Sequence, residues 1–260
     1  MTKIALSFDD GRKDNEIVLQ DIFIKENIPA TINITTDYVS GKLLEGEKPC
    51  INEPINKDFL IRIANNSIIE IAGHGKKHSN EYENLSAGIK ELREWMPDRV
   101  ISGIASPYSQ ANVYDLIRDK DKYLSNGISY IRLGDRITSF CFIKKALRKL
   151  NRMFLHVPFI FAWVHEQAFV NKNDDFILYS VPILKRDIVN EVIALVKRAV
   201  KKDKNVILMF HSILHKGEPG YDSNWTWDWN KFEKLVLKLK QMQESDLLKI
   251  TTTQELLLGK

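Results

Sequence analysis

The sequence predicts an α/β protein in which parallel strands alternate with helices in a sheet or barrel. Short apolar runs rich in β-branched residues alternate with longer stretches whose apolar residues recur three or four positions apart, as in amphipathic helices. Strands separated by helices favour parallel βαβ units. The chain has 260 residues, a length at which α/β barrels routinely form a single domain.

The elements follow in a regular order along the chain. Strands are predicted over residues 4–8, 30–35, 68–72, 100–105, 128–133, 176–181, 206–210 and 248–251. Four helices are predicted from sets of apolar residues at helical spacing: Ile17, Leu19, Ile22 and Phe23; Phe59, Leu60 and Ile63; Ile188, Val192, Leu195, Val196 and Val200; and Phe232, Leu235, Leu239 and Met242.

Net charge and composition limit the classes of molecule that are expected to bind this protein. The net charge of +4 is small, and no nucleic-acid motif or basic stripe with stacking aromatic residues is present, so nucleic acid is not expected as a partner. Cys50 and Cys141 lack the CxxC spacing of a metal or redox site. The chain enters a strand directly after Met1, without a secretory signal. This predicts a cytoplasmic protein, or one at the inner face of the membrane.

One segment, residues 140–170, departs from the regular pattern. Its first half carries five basic residues, and a dense apolar run follows over residues 153–164. The run is too short and too interrupted to span a bilayer. Two interpretations are open: an inserted helix pair that packs on the barrel, or a peripheral contact with a membrane surface.

Two adjacent aspartates, Asp9 and Asp10, follow the first predicted strand. Adjacent carboxylates repel each other, so burying both is unfavourable unless a cation or a proton compensates. Gly11 indicates a turn, and such a turn can direct both aspartate side chains towards the same opening of the fold. The alternative is a surface turn with two solvated aspartates.

A pair of histidines, His74 and His78, follows the third predicted strand. Imidazole nitrogens are good ligands for zinc and similar ions. An isolated HxxxH pattern is typical of two partly exposed histidines, but an aspartate pair after an earlier strand favours a metal site. One carboxylate and two imidazoles leave coordination positions open for water and substrate, as catalytic metals require.

A further histidine, His211, ends the strand predicted over residues 206–210. In α/β barrels functional residues gather at the carboxyl ends of the strands. At such a place His211 can protonate a leaving amine. The alternative is a lone histidine in the core or at its rim.

Together and in this order, these motifs resemble the polysaccharide deacetylases, the fourth family of carbohydrate esterases. Residues 7–11 match the opening motif of that family, and residues 74–78 match its paired-histidine motif. Residues 104–108, Ile-Ala-Ser-Pro-Tyr, resemble the third motif, and residues 208–211, Leu-Met-Phe-His, resemble the late Leu-x-His motif. The resemblance covers nearly the whole chain.

The resemblance implies a distorted (β/α) barrel of about seven strands, with residues 1–260 as one catalytic domain. It implies that Asp9 is the catalytic base and His211 the general acid. Tyr108 would offer its backbone N–H to the oxyanion. The ligands of a divalent metal, in this family usually zinc, would be Asp10, His74 and His78.

Several positions depart from the family pattern. Many relatives carry an arginine in the third motif that pairs with the catalytic base, and Ala105 stands nearest to that position here. Ser109 replaces the usual glycine after Tyr108. The tryptophan-containing fourth motif is not assigned to any segment. The tryptophans after His211 either wall a sugar site or pack on a strand or loop: Trp225, Trp227 and Trp229.

The predicted function is metal-dependent removal of an N-acetyl or related N-acyl group from an amino sugar. The substrate would be a glycan or a glycan precursor linked to a nucleotide or a polyprenyl carrier, since no signal peptide directs the chain to the cell wall. Two alternatives stay open: a catalytically silent carbohydrate-binding relative, and a non-haem iron oxygenase built on the same type of ligand set. The oligomeric state is not predicted.

Overall fold

The computed structural model describes residues 1–135, 141–172 and 176–257. Its strands are β1 (Thr2–Phe8), β2 (Ala30–Ile34), β3 (Ile69–Gly73), β4 (Gly103–Ala105), β5 (Tyr130–Gly134), β6 (Ile177–Pro182), β7 (Val206–Phe210), β8 (Ser212–Leu214), β9 (Thr226–Asp228) and β10 (Leu248–Thr251).

The helices lie mainly between these strands. They are α1 (Asn15–Val18), α2 (Thr36–Val39), α3 (Lys57–Ala64), α4 (Tyr82–Trp95), α5 (Val113–Arg118), α6 (Lys120–Ser125), α7 (Phe142–Leu150), α8 (Pro158–His165), α9 (Val189–Lys201) and α10 (Trp229–Glu244). Two of them continue as π-helical turns, α1 over Leu19–Ile24 and α7 over Asn151–Leu155. Single 3₁₀ turns occupy Glu45–Glu47, Pro107–Ser109, Glu166–Ala168 and Gln254–Leu256.

Strands β1 to β7 form a closed parallel barrel in sequence order, since β7 pairs back onto β1. On its other side β1 pairs with β10 along its first half, from Thr2 to Ala5, and with β2 at Ser7 and Phe8. The predicted α/β barrel of about seven strands is therefore confirmed, with β10 as an additional strand beside β1.

Successive side chains of the barrel strands alternate between an apolar shell and the lumen, because a strand has a period of two residues. On β1, Ile4, Leu6 and Phe8 belong to the main apolar cluster, which includes apolar residues of the surrounding helices. The residues between them are Ala5 and Ser7, and Asp9 continues this second set. Polar side chains of the strands can therefore face the lumen and the open end of the barrel.

Aromatic packing fixes the ends of β1 and β7 relative to each other. The Phe8 and Phe210 rings stack with centroids 5.4 Å apart, and Phe232 of α10 contacts both of them edge-on. Each such aromatic pair contributes about 0.5–1.5 kcal/mol beyond its buried area. Asp9 directly follows Phe8 and His211 directly follows Phe210, so this cluster holds the two residues at adjacent strand ends.

All eight strands predicted from the sequence are present. The boundaries of the strands at 206–210 and 248–251 are as predicted, and the largest shift is at β4, which starts three residues later than predicted. The four apolar sets lie on α1 with its π turn, α3, α9 and α10. The small parallel sheet of β8 and β9 was not predicted.

The segment over residues 140–170 contains a helix pair, α7 and α8, although residue 140 lies outside the described residues. Helix α8 packs against α9 and buries Phe161, Ala162, Val164 and His165. The packing interpretation therefore holds for α8. Helix α7 differs because none of its residues is buried. Within the described ranges no helix is both long enough and apolar enough to cross a membrane.

Candidate active site

Three potential metal ligands converge at the carboxyl ends of β1 and β3. The Nε2 atoms of His74 and His78 each lie 3.3 Å from Oδ1 of Asp10 and 3.2 Å from each other. All three side chains are buried. Among the described residues this is the one group of three or more such side chains close enough to share an ion.

The spacing of these three atoms fits a small divalent cation. Ligands about 2.0–2.1 Å from a tetrahedral ion lie about 3.3 Å from one another. His74 donates from Nδ1 to the carbonyl oxygen of Ala105, at 2.9 Å, which directs its Nε2 towards Asp10. A hydrogen bond from one ring nitrogen to a carbonyl is the usual support for a metal-binding histidine. The donor set, one carboxylate and two imidazoles, suits zinc and similar ions.

A buried arginine, Arg12, holds the second carboxylate oxygen of Asp10. Its Nε and Nη2 donate to Oδ2 at 2.8 and 2.6 Å, and its Nη1 donates to Oγ of Ser212 at 3.0 Å. Two charge-assisted hydrogen bonds to one oxygen hold Oδ2 of Asp10 in place. As a result Oδ1 is directed to the two histidines and Oδ2 away from them.

Asp9 lies in the same cleft, but its partners are different. Oδ1 of Asp9 accepts a hydrogen bond from Nη2 of Arg132 at 2.5 Å and one from Nδ2 of Asn33 at 2.8 Å. Arg132 is buried and also donates from Nη1 to Oγ of Ser180 at 2.8 Å. Strand β5, which carries Arg132, is not a neighbour of β1, so the ion pair crosses the barrel lumen.

Three site residues adopt a left-handed backbone that non-glycine residues rarely accept: Asp10, with φ 78°, His78, with φ 56°, and Tyr108, with φ 52°. At Asp10 this conformation breaks the strand alternation, so that Asp10 and Asp9 can both line one cleft. Such strained residues concentrate at functional sites, each at a cost of about 1–3 kcal/mol. Gly11 continues the turn with φ 78°, and a Cβ atom there would lie 2.9 Å from Cδ1 of Ile34.

His211 lies on the wall of the same cleft. Its ring packs on Trp225 with centroids 4.5 Å apart, and its Nδ1 is buried without a hydrogen-bond partner. Burial lowers the pKa of His211 to about 4, although the nearby Asp10 opposes this shift. His211 is therefore neutral at pH 7 in this state of the protein.

The carboxyl groups of the site are held in their charged form. Burial raises the pKa of Asp9, but Arg132 and His74 outweigh it, so the pKa lies below its ordinary value. Burial likewise raises the pKa of Asp10, yet Arg12 and the two histidines hold it well below the usual range. The pKa of His78 is lowered by burial.

Tyr108 belongs to the 3₁₀ turn after β4 and lines the cleft opposite the aspartates. Its ring meets the His78 ring edge-on, with centroids 4.3 Å apart. Ser109, which replaces the expected glycine, accepts a hydrogen bond at Oγ from the backbone N–H of Gly134 at 2.7 Å. Asn80 donates to the carbonyl oxygen of Pro107 at 2.8 Å and holds the turn in place.

The structure thus brings all six predicted site residues to one cleft of about 280 Å³. Apart from Met209 on β7, its other walls come from loops and turns, and the additional lining residues are Arg12, Pro49, Ser106, Ser109, Gln110, Met209 and Trp225. Of the three clustered tryptophans, Trp225 is at the cleft, whereas Trp227 and Trp229 are buried in the apolar shell. His156, His165 and Glu166 pair with Glu191, Asp135 and Arg198 instead of lining the cleft.

Sequence reasoning missed the two arginines. The position of Arg132 could have been noticed, because a charged residue in the middle of a predicted buried strand requires a partner. Arg12 had no such signal, since it follows a turn and could have been solvated. Ala105, which stands nearest the expected arginine position, contributes its carbonyl oxygen to His74.

Comparison with known proteins gives matches in structure only. No protein-family model matches the sequence, and no curated protein matches it. A variant of a CE4-family pseudoenzyme from Bacillus anthracis, with restored enzymatic activity, aligns over 98% of this chain and 67% of its own, at 12% identity and a TM-score of 0.50.

Two other solved structures are more distant in shape. A family 4 acetyl xylan esterase from Clostridium thermocellum, in complex with a cobalt ion, matches at 14% identity over 98% of this chain and 90% of its own, with a TM-score of 0.48. IcaB from Ammonifex degensii matches at 16% identity over 50% of this chain and 58% of its own, with a TM-score of 0.40. The barrel, its strand order and the full-length structural match lead to one conclusion: the chain has the fold of carbohydrate esterase family four.

Proposed function

We propose that this protein hydrolyses an N-acyl amide, foremost an N-acetyl group, on an amino sugar, with a divalent metal ion, in the first place zinc. Fold alone does not decide this, because one fold hosts active enzymes and silent relatives. The observation that carries the proposal is the pairing of two differently held carboxylates in one cleft. Asp10 faces two histidines, whereas Asp9 is kept ionised by Arg132.

Asp10, His74 and His78 would hold the metal. Bound there, a divalent cation supplies Lewis-acid polarisation of the acyl oxygen and lowers the pKa of a bound water. Tyr108 and His211 line the same cleft as these three residues.

Asp9 is the residue that would accept the proton of the attacking water. Its low pKa keeps it a carboxylate at neutral pH. Arg132 and Asn33 both donate to Oδ1, which orients the carboxylate. A base held in one position contributes about 10²–10⁴-fold to the rate of such reactions.

His211 would pass a proton to the leaving nitrogen. Its imidazole is neutral before the reaction, and the negative charge that develops on the tetrahedral carbon's oxygen raises the pKa of a neighbouring imidazole. The imidazole can therefore take up a proton at that stage, and the proton that Asp9 removes from the attacking water would reach the leaving nitrogen through it. The backbone of Tyr108 would assist by donating to the same oxygen.

The structure weakens both rival functions. The silent carbohydrate-binding relative was suggested by the missing third-motif arginine, and Arg132 supplies a guanidinium to Asp9 from another strand. A non-haem iron oxygenase uses the same type of three-ligand set, but it has no need for a second carboxylate held ionised beside that set.

The experiment is detection of free amine by mass spectrometry. Zinc-loaded protein is incubated with free, nucleotide-linked and polyprenyl-linked N-acetyl sugars, with a chelated sample as control. Metal-dependent loss of acetyl from one sugar is expected. The matched variant Asp9→Asn should bind zinc with unchanged stoichiometry and lose turnover. Turnover retained by Asp9→Asn would overturn the assignment of the base, and no loss from any sugar would favour the silent relative.

A further inference from the structure

Helix α7 is turned with its apolar side away from the protein. At the helical period Phe142, Ile143, Ala146, Leu147 and Leu150 share one side, and Lys144, Lys145, Arg148 and Lys149 share the other. A surface helix of a globular protein normally buries its apolar side. Here Phe142 is 78% exposed and Ile143 69% exposed.

The basic side, in contrast, is partly covered by the protein. Lys144 and Arg148 are half-buried, and the Lys144 ammonium lies 4.9 Å from the ring centre of Trp163 on α8. In the π turn that continues α7, Arg152 donates to both carboxylate oxygens of the buried Asp187, at 2.7 and 2.9 Å. These contacts and the half-buried Leu147 anchor the helix, and most of its apolar side, including Phe142 and Ile143, stays exposed.

The exposed apolar surface continues beyond α7. Phe154 is 69% exposed and Phe159 is 65% exposed, and Leu155 and Val157 between them are also exposed. Together with Phe142, Ile143 and Leu150 they are the exposed apolar residues within 142–159 that we call the α7 face. Isolated exposed apolar residues are ordinary, but a run of them marks an interaction site.

Charge identifies the occupant of this face. From residue 136 to residue 165 the sequence contains no aspartate or glutamate, and residues 144–152 contain five basic residues. Lys145 and Lys149 are exposed beside the apolar side of α7. Of the nearby acids, Asp187 forms an ion pair with Arg152, and Asp135 accepts hydrogen bonds from His165 and Gln167 inside the protein. Apolar residues flanked by lysines that have no acidic partner among the described residues complement a surface that is apolar inside and anionic at its rim.

We propose that the α7 face binds the surface of an anionic phospholipid bilayer, with the phenylalanines in the acyl boundary and the lysines among the headgroups. This inference stands apart from the hydrolytic function, since none of these residues lines the cleft. It bears on access to the site, because α7 follows β5, whose carboxyl end lies at the same face of the barrel as Asp9 and His211. Bilayer contact would present this face to a lipid-linked substrate.

The test is vesicle flotation with the full chain. Wild-type protein should float with vesicles of phosphatidylcholine mixed with phosphatidylglycerol, and its binding should weaken as salt is raised. Pure phosphatidylcholine should bind it weakly. Phe142→Ser with Phe154→Ser should lower vesicle affinity about tenfold or more. Lys145→Glu with Lys149→Glu should lower it at least about fivefold per lysine.

The controls are exposed residues away from the α7 face. Val100 is 77% exposed and precedes β4, at the opposite end of the barrel, so Val100→Ser should leave flotation unchanged. Lys25→Glu with Lys249→Glu controls for net charge. Amine release from a soluble sugar should be the same in all these variants, which separates failure of the membrane proposal from failure of the hydrolytic one.

Two results would overturn the proposal. One is wild-type protein that does not float with anionic vesicles, or variants of the α7 face that float as well as wild type. The other is a dimer in light scattering that dissociates on Phe142→Ser with Phe154→Ser, which would make a second copy of this chain the occupant. Circular dichroism melting checks that the exposed substitutions leave the fold intact.

Discussion

Arg132 on the fifth strand donates a hydrogen bond across the barrel lumen to Oδ1 of Asp9 at the end of the first strand. The guanidinium is thus provided by a strand different from the one on which the family pattern expects it. Because both side chains are buried, removal of either one would leave the other as an unpaired buried charge. The pair explains how the carboxylate of Asp9 remains ionised despite burial.

Replacement of Arg132 should move the pH profile of the reaction. Arg132→Met removes the cation that lowers the pKa of Asp9, while the burial that raises it stays. The pKa of Asp9 therefore rises, and the acid limb of kcat/KM moves to higher pH. At pH 7 the rate should fall roughly tenfold or more. Arg132→Lys keeps a cation beside Asp9, so its acid limb should move less than that of Arg132→Met. An acid limb that does not move in Arg132→Met would contradict the role of the ion pair.

Zinc should stabilise the folded chain through Asp10. Zinc at a free concentration of about 100 times its dissociation constant adds about 2.7 kcal/mol to the free energy of unfolding, provided that only the folded state binds it. Thermal denaturation with zinc and with a chelator measures this difference. In Asp10→Asn the difference should nearly vanish, and Asp14→Asn serves as a nearby control because Asp14 bonds to Ser212 and Ile213 instead. An equal zinc effect in Asp10→Asn would exclude the proposed ligand set.

Arg12 should set metal affinity without touching the metal. Arg12→Met leaves Oδ2 of Asp10 unpaired and lets the carboxylate rotate away from the histidines. Supporting residues of this kind typically change metal affinity 10–100-fold. Competition with a chromophoric chelator should show zinc binding weakened by about that factor, with one zinc still bound per chain. Unchanged affinity would show that the histidines alone position Asp10.

Glu70 should make stability depend on pH. It is buried in the lumen and accepts hydrogen bonds from Thr31, Tyr130 and the backbone of Gln254. Burial raises its pKa above the ordinary value, so the folded state holds this proton more tightly than the unfolded state. Its contribution is complete below the unfolded pKa and is lost as pH rises through the folded pKa. Denaturant titrations across this range should give a flatter stability curve for Glu70→Gln than for wild type.

The barrel was predictable because its signal is local. Each barrel strand carries a short run of β-branched or aromatic residues, and the order of strand and helix dictates parallel connections. Strands β8 and β9 were not predictable, since a three-residue strand has no period of its own and exists only through its partner. The turn residues Asp10, His78 and Tyr108 were singled out by their chemistry, but their left-handed backbone could not be inferred from residue type.

The support of the site escaped prediction for a related reason. That Arg132 meets Asp9 depends on barrel closure, which places β1 and β5 on opposite walls of one lumen. That Arg12 meets Asp10 depends on the turn at Gly11 folding back rather than out. Residue type predicts which groups need a partner, whereas only the three-dimensional arrangement determines which partner they find.

The pairing of β1 with β7 also determines at which stage of folding the site can form. The two aspartates lie at the start of the chain, and His211 follows a strand that is synthesised about two hundred residues later. Contacts between such distant parts of a chain form slowly, because a long loop must close before they contribute any stability. During synthesis, the first strand must stay available until the seventh has left the ribosome. The cleft is therefore a late product of folding, and a chain interrupted before residue 206 carries both carboxylates without the strand that holds them in place.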